Sequence, residues 1–285
     1  MALTVNTNLS ALQAYNNLSR TSANVASSMA KLSSGLRINT AADDAAGLTI
    51  SEGLKAQVNG YGIAARNAQD GINVVQTADG GLAEVHSILQ RVRDLAVQAG
   101  NDSNNDDSRA AIAKEVDGLA KELTRIAAGT NFNGISLLNG ATSGDGTGKL
   151  TLQIGAGSVA ANDQIEVDLT GADVTAVGTA IAGLVATGFS TAADALTSIG
   201  TIDTQIKSVS TARSDLGAAQ NRLTHAMNIA NISAQNLAAS ASHITDTDMA
   251  QEMVKYTKDS ILQQAGTAML AQANQSGQGI LKLLG

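Results

Sequence analysis

This chain of 285 residues has a formal net charge of −7 and a pI near 4.9, with no basic cluster. Such an acidic balance excludes nucleic acid and an anionic membrane surface as partners. Cysteine and proline are both missing, which excludes disulfides and thiolate chemistry and lets long helices run uninterrupted. Only 2% of residues are aromatic, so the composition suits closely packed helices better than a ligand pocket.

The sequence contains no obvious targeting or membrane segment. No stretch approaches the roughly 18 consecutive apolar residues of a membrane helix. The N-terminus has neither a charged region nor the apolar run of an ordinary secretory signal. Taken alone, these features predict a cytoplasmic protein.

The chain opens with a coiled-coil-like seam whose steps alternate between four and three residues. The first 19 residues carry no charged side chain. This pattern predicts an amphipathic helix, and its seam positions are Ala11, Tyr15, Leu18, Ser22, Val25, Met29, Leu32 and Leu36.

Residues 32–47 predict a joint between this helix and the next. Gly35 suits the left-handed conformation that commonly closes a helix. Thr40 followed by Asp43 fits a helix-start signal, and the acidic pair Asp43 and Asp44 suits the positive end of a helix.

Two further helices follow the joint. The first extends to about Gly100, and a polar turn at 101–107 separates it from the second, which ends near Gly129. The apolar stripe of the first is Leu82, Val85, Leu89, Val92 and Ala96, and that of the second is Ile112, Val116, Leu119, Leu123 and Ile126.

The composition changes in the middle of the chain. Between Gly129 and Thr201 there are seven charged residues, six of them acidic. Apolar and polar residues alternate over 150–154 and again over 165–169, which predicts two short strands joined by a glycine-rich loop. Residues 174–190 permit no assignment.

The strongest periodicity lies near the C-terminus and predicts a helix of about 45 residues, about 65 Å long. A second helical segment follows with Met249, Met253, Tyr256 and Ile261, and residues 260–281 are uncharged. The heptad positions of the long helix are Ile202, Val209, Leu216, Leu223, Ala230 and Leu237.

The predicted fold is therefore mainly α. Both chain ends form a long, coiled-coil-like helical rod, and a small β-hairpin segment lies in the middle. Helices with such narrow apolar stripes depend on packing for stability. We expect the rod to gain the packing that it lacks by assembling with other copies of the chain.

No stretch predicts an enzyme, a cofactor site or a metal site. Gly155-x-Gly157-x-x-Ala160 mimics a dinucleotide fingerprint, but it leads into a strand where the fingerprint requires a helix. Gly148-Lys149 lacks the rest of a phosphate loop. The three histidines are scattered, and Asp43-Asp44 and Asp106-Asp107 are neighbours that do not share a helix face.

Arg91, Leu95 and Glu115 are candidates for a surface patch across two neighbouring helices. The alternative is an ordinary solvated surface, and the pattern by itself favours neither.

Several motifs, in the same order, closely resemble those of bacterial flagellins. The resemblance covers roughly 1–140 and 190–285. The motifs lie at 32–39 and 43–47 around the joint, at 67–71 and 90–98 in the first middle helix, at 131–134 and 137–138 after the second, and at 248–250, 252–253 and 268–274 near the C-terminus.

This resemblance implies a short flagellin, a structural subunit that polymerises into the flagellar filament for swimming motility. It implies an inner terminal-helix domain of 1–43 with 246–285 and a helical rod domain of 44–140 with 190–245. A small β-rich segment, 141–189, stands where larger members insert outer domains. We expect neighbouring subunits to hold the inner domain and the rod domain together at Gly35, Arg37, Asp43 and Asp44.

The resemblance also implies partners and a location. The subunit leaves the cell through the flagellar export apparatus with a chaperone, without a cleaved signal peptide, and joins an extracellular homo-oligomeric filament. Filament cap and hook-associated proteins are further expected partners. In this family the terminal helices line the channel of the filament. We expect an uncharged channel wall not to bind the charged segments of subunits that pass through it.

In some flagellins, vertebrate Toll-like receptors contact an Arg, a Leu and a Glu that fall here on Arg91, Leu95 and Glu115. This match favours the surface patch as a receptor contact. The chain departs from common family residues at Asp94, His243, Lys282 and Gly285. The alternative function is that of a hook–filament junction or similar binding protein that does not polymerise at length.

Overall fold

Long helices dominate the computed structural model, which describes residues 8–140 and 147–284, with side chains up to residue 275. Within this described part, the prediction of a mainly α fold with a small central β-hairpin is confirmed. The helices are α1 Leu9–Ser34, α2 Ala45–Ala99, α3 Asp106–Gly129, α4 Ala160–Asp163, α5 Val174–Val185, α6 Ala192–Thr245 and α7 Met249–Leu284. The strands are β1 Asn131–Phe132, β2 Ile135–Ser136, β3 Lys149–Gln153 and β4 Gln164–Asp168.

The chain divides into two compact units. Unit 1 comprises Met1–Ala56 and Asn236–Gly285, and unit 2 comprises Gln57–Gln235. Unit 1 therefore combines an N-terminal and a C-terminal stretch of the chain, and unit 2 is the continuous stretch between them.

The core of unit 2 forms where the sequence predicts apolar stripes. All five predicted stripe residues of α2 between Leu82 and Ala96 are fully buried. In α6 the heptad residues from Ile202 to Ala230 are at most 2% exposed. The 3.6-residue helical repeat thus brings α2, α3 and α6 together on their apolar faces.

The polar turn after α2 ends at a helix cap. Asn105 Oδ1 accepts a hydrogen bond from the Ser108 backbone N–H at 2.8 Å, and Asp106 and Asp107 occupy the first turn of α3. Carboxylates at this end interact favourably with the helix dipole. The adjacent acidic pair therefore belongs to the start of a helix.

The predicted hairpin consists of β3 and β4, which pair antiparallel with Leu152 opposite Ile165. It lies against α2, where Asn67 Nδ2 donates to the carbonyl oxygen of Gln153 at 2.9 Å. At Gly71 a side chain would collide with Leu152, so glycine allows the hairpin to approach the helix closely.

Four α-helices and strands of unit 2, namely β1, β2, α4 and α5, are absent from the sequence predictions. Strands β1 and β2 form a second antiparallel pair around Asn133 and Gly134, which have φ of 50° and 81°. An Asn-Gly pair is the usual two-residue hairpin turn, so the signal was present. The unassigned stretch contains α5, which is capped by Asp173 and packs against α3 through buried Val177 and Ile181.

In unit 1, α1 packs against α7. Gln263 Nε2 donates to Ser22 Oγ at 3.1 Å, and Asn8 Nδ2 donates to the carbonyl oxygen of Ala273 at 2.8 Å. A Cβ on Gly266 would lie 3.3 Å from Leu18 Cδ1. The two helices are therefore antiparallel and close together.

The predicted seam of this pair is wrong at two α1 positions. Tyr15 is 60% exposed and Met29 is 53% exposed, whereas Ala14 is half-buried and Ser28 is fully buried. Small residues therefore replace Tyr15 and Met29 at these two levels of the seam, whereas Leu18, Val25 and Leu32 are half-buried at their predicted positions.

Of the large residues that the sequence analysis names on α7, Tyr256 is half-buried and the other three are exposed. Met249, Met253 and Ile261 are 46%, 49% and 60% exposed. The less exposed face of α7 instead contains many polar or small residues, namely Glu252, Tyr256, Asp259, Gln263, Gly266 and Leu270.

Candidate functional site

The joint begins where α1 ends. Gly35 has φ of 72°, in the left-handed region, and its backbone N–H donates to the carbonyl oxygen of Lys31 at 2.8 Å. A side chain at this φ is strained, so glycine closes the helix at low cost. The predicted helix end at Gly35 is confirmed.

The chain after Gly35 pairs with the connector between α6 and α7. The backbone N–H of Arg37 donates to the Thr245 carbonyl oxygen at 2.6 Å, and that of Thr247 donates to the Gly35 carbonyl oxygen at 3.0 Å. Leu36 and Asp246 form an isolated antiparallel bridge. The joint is therefore held to the C-terminal half of its own chain.

The Arg37 side chain strengthens this pairing. Its Nη2 donates to the carbonyl oxygen of Ile244 at 2.6 Å, in the last turn of α6. Carbonyl groups at a helix C-terminus lack intrahelical partners and carry partial negative charge, so a guanidinium stabilises them. Sequence reasoning missed this intrachain role, since nothing in the sequence pairs residue 37 with residue 244.

Asp43 closes a turn before α2 begins. Its Oδ2 accepts hydrogen bonds from the backbone N–H of Asn39 at 3.1 Å and from the backbone N–H and hydroxyl of Thr40, both at 3.0 Å. These donors, with the Thr40 backbone contributing most, lower the pKa of Asp43 below its usual range.

Asp44, one residue later, caps α2. Its Oδ1 accepts from the backbone N–H of Gly47 at 2.9 Å, and its carbonyl oxygen accepts from that of Leu48 at 3.0 Å. The helix-start signal placed the cap at Thr40, which is wrong. Because Asp43 is already bonded within the turn, the cap falls on the next carboxylate.

The connector's other end has its own cap. Asp248 Oδ1 accepts from the backbone N–H groups of Ala250 and Gln251 at 2.9 and 3.1 Å. An Asp followed three residues later by Gln resembles a capping box, so the sequence did contain this signal.

In its described part, unit 1 exposes eleven large apolar side chains and buries few. Among the buried hydrophobic residues of the described chain, only Ile38 and Ala241 lie in unit 1. A monomer rarely leaves a large apolar patch in water, so this surface is the candidate assembly face. It comprises Leu9, Leu12, Tyr15, Met29 and Ile50 from the N-terminal part, and Met249, Met253, Val254, Ile261, Leu262 and Met269 from α7.

The three residues of the predicted surface patch lie in unit 2 but differ in exposure. Arg91 donates from Nε and Nη2 to Glu115 Oε1 at 2.9 and 2.6 Å, across α2 and α3. The Arg91 and Glu115 side chains are 56% and 45% exposed. Leu95 is only 2% exposed. The structure thus brings the charged pair together at the surface and places Leu95 in the core.

The glycine-rich loop between β3 and β4 binds a carboxylate of its own chain. Backbone N–H groups of Gly157 and Val159 donate to Asp163 carboxylate oxygens at 3.2 and 3.0 Å. A Cβ on Gly157 would lie 2.5 Å from Asp163 Oδ2. The short helix α4 follows the loop, so the expectation that the loop leads directly into a strand is wrong. The two amides are occupied by Asp163, and β3 and β4 pair on either side of the loop, which supports the hairpin-loop interpretation.

Within residues 8–140 and 147–284, no cluster of three or more His, Asp or Glu side chains is arranged to hold a metal ion. None of the helices in this part of the chain is long and apolar enough to cross a membrane. The Lys282 side chain and Gly285 lie outside the described residues.

Comparisons with known proteins agree with one another. Residues 5–143 match the model of the bacterial flagellin N-terminal helical region, and residues 199–284 match that of the C-terminal helical region. A flagellin of Halalkalibacterium halodurans is 47% identical over 280 residues, covering 98% of this chain and 99% of the relative. A flagellin of Bacillus subtilis is 43% identical over 304 residues, with the same two coverages.

One further relative and one solved structure are also similar to this chain. A flagellar filament 33 kDa core protein of Treponema phagedenis is 40% identical over 291 residues, with 98% of this chain and 99% of the relative covered. The crystal structure of Bacillus cereus flagellin matches with a TM-score of 0.48 and 32% identity, over 57% of this chain and 88% of that one.

Proposed function

The chain belongs to the bacterial flagellin family, and we propose that it is a structural subunit that polymerises into the flagellar filament for swimming motility. Curated relatives of nearly the same length include filament core proteins. The filament of identical subunits lies outside the cell.

The candidate assembly face carries this proposal. Unit 1 pairs α1 with α7 through many small and polar residues and leaves eleven large apolar side chains in water. Because apolar burial is the main driving force of association, each subunit gains stability when another copy covers this face. Repeated contacts between different faces of identical subunits generate an open helical polymer.

The division of the chain into domains is part of the proposal. Residues 1–43 with 246–285 form the inner domain, 44–140 with 190–245 form the rod domain, and 141–189 form the small β-rich segment. Gly35, Arg37, Asp43 and Asp44 are proposed to fix the geometry of the joint at which neighbouring subunits pack. Arg37 and Asp43 are exposed in addition to their intrachain bonds, which leaves both accessible to a neighbour.

We also propose the partners that the resemblance implies. The subunit would leave the cell through the flagellar export apparatus with a chaperone. Filament cap and hook-associated proteins would then contact the assembled subunits. The exposed Arg91–Glu115 pair is the proposed contact for a vertebrate Toll-like receptor, and Leu95 supports it from the core.

Seeded polymerisation tests the proposed function. Purified subunit is mixed with short filament fragments, and electron microscopy is used to measure filament length over time. Long tubes are the expected result. A subunit that stays soluble at every concentration and with every seed would contradict polymerisation and favour the junction protein.

A variant links polymerisation to the candidate assembly face. Ile261 is 60% exposed, so Ile261→Asp should leave the unfolding of the free subunit nearly unchanged while it prevents filament growth. Ile261→Leu is the matched control, since it keeps an apolar side chain of equal size, and it should polymerise. Normal growth of Ile261→Asp would show that neighbours do not cover this face.

A further inference from the structure

Methionine is distributed unevenly between the two units. The chain has six methionines. Met29, Met249, Met253 and Met269 lie in unit 1 and are 53%, 46%, 49% and 64% exposed. Met227, in α6 of unit 2, is half-buried. Met1 lies outside the described residues.

The exposed thioethers occupy defined levels along the α1–α7 pair. The Ser22–Gln263 hydrogen bond fixes the antiparallel register. Met29 follows Ser22 by seven residues, or about two helical turns. Because the helices are antiparallel, Met29 lies level with the turn of α7 that contains Met253. Met249 and Met253 are four residues apart and therefore share one face of α7.

We propose that these four methionines are oxidation sites of the free subunit, with hydrogen peroxide as the oxidant. Peroxide transfers one oxygen atom to the thioether sulfur, giving methionine sulfoxide and one molecule of water. The sulfur loses two electrons and the peroxide gains them. Access of the oxidant to the sulfur controls the rate, so the exposed residues react first.

Oxidation changes the chemistry of the candidate assembly face, and this consequence rests on the proposed function. A sulfoxide is polar and accepts hydrogen bonds, whereas the thioether packs as a flexible apolar group. A neighbouring subunit that covers the sulfoxide must desolvate it. We expect the subunit concentration required for filament growth to rise about tenfold for each sulfoxide covered without a partner.

The site assignment is tested on the full-length free subunit. After limited peroxide treatment, peptide mass spectrometry measures the gain of one oxygen at each methionine. The four exposed methionines should react before the half-buried Met227. Equal rates at all positions, or fastest reaction at Met227, would overturn the assignment. Preformed filaments given the same treatment should protect the four sites, and unprotected sites would show that no neighbour covers them.

The effect on assembly is tested by variants. A variant with Met29→Leu, Met249→Leu, Met253→Leu and Met269→Leu keeps apolar side chains of similar volume and should polymerise after peroxide treatment. The matched control Met227→Leu should lose seeded growth as the parent does. Methionine sulfoxide reductases should restore growth of the oxidised parent. Equal inactivation of the fourfold variant and the parent would refute the link to assembly.

Two readouts separate this inference from the proposed function. If the untreated parent does not polymerise, the proposed function fails, and the mass-spectrometric order of oxidation still decides the sites. If the fourfold variant folds poorly, the single variant Met269→Leu provides the comparison, and it should lose one oxidation site and part of the peroxide sensitivity.

Discussion

Two adjacent glycines in α2 give opposite expectations for the same substitution. Nothing lies within 4 Å of the position that a Cβ on Gly80 would take. A Cβ on Gly81 would lie 2.7 Å from Cδ1 of Leu138, which is fully buried, and 3.1 Å from Oγ1 of Thr130. The added methyl group therefore meets open space at residue 80 and packed side chains at residue 81.

The expected free energies follow from this geometry. Alanine is favoured over glycine in a helix interior by about 1 kcal/mol, so Gly80→Ala should raise the free energy of unfolding by about that amount. At Gly81 the same gain is opposed by about 1–3 kcal/mol of overpacking, because Leu138 is enclosed. The two variants should therefore differ by about 1–3 kcal/mol, with Gly81→Ala the less stable.

Urea unfolding followed by circular dichroism measures both variants against the parent, with linear extrapolation to water. The midpoint should rise for Gly80→Ala and fall, or remain unchanged, for Gly81→Ala. If Gly81→Ala stabilises the chain as much as Gly80→Ala, Leu138 is not packed against α2 and the core described around it is incorrect.

Three further predictions concern the joint and the residues Arg91 and Leu95 of unit 2. Arg37→Ala should lower the free energy of unfolding of the free subunit by about 1 kcal/mol, since Nη2 loses its bond to a helix-end carbonyl in an exposed setting, and should weaken filaments by more. The lowered pKa of Asp43 means that its carboxylate stabilises the fold above the usual value of 3.8, and that this stabilisation is lost as the pH falls through the folded pKa. Asp43→Asn should therefore make the free energy of unfolding less dependent on pH in this acid range. Leu95→Ala should cost about 2–5 kcal/mol of stability, whereas Arg91→Ala should cost less than about 1 kcal/mol and still reduce activation of receptor-expressing reporter cells.

Each of these predictions has a result that counts against it. Equal losses in subunit and filament for Arg37→Ala would make the joint a simple connector, and Arg37→Lys controls for charge. Unchanged acid sensitivity in Asp43→Asn would mean that other carboxylates determine it. A stable Leu95→Ala would contradict burial of Leu95, and full receptor activation by Arg91→Ala would remove the charged pair as the contact.

The sequence by itself determined the long helices of unit 2 and the hairpin. In α2 and α6, large apolar residues recur at helical spacing over many turns, and only one face of each helix can bury them. The strict alternation in β3 and β4 likewise specifies one buried face. Gly35 could also be located, because its conformational requirement is local.

Tertiary structure decided the rest. In α1 and α7 many large apolar residues, among them Tyr15 and Met253, lie in water, while small residues such as Ser28 and Gly266 occupy the buried or half-buried positions. An apolar pattern cannot distinguish a surface covered by the chain's own helix from one left for another copy. The carbonyl group that Arg37 binds lies about 200 residues away in the sequence. The N-cap of α2 is Asp44 and not Thr40 because Asp43 is already hydrogen-bonded within the turn. Such choices depend on which groups meet after folding, and local spacing does not contain that information.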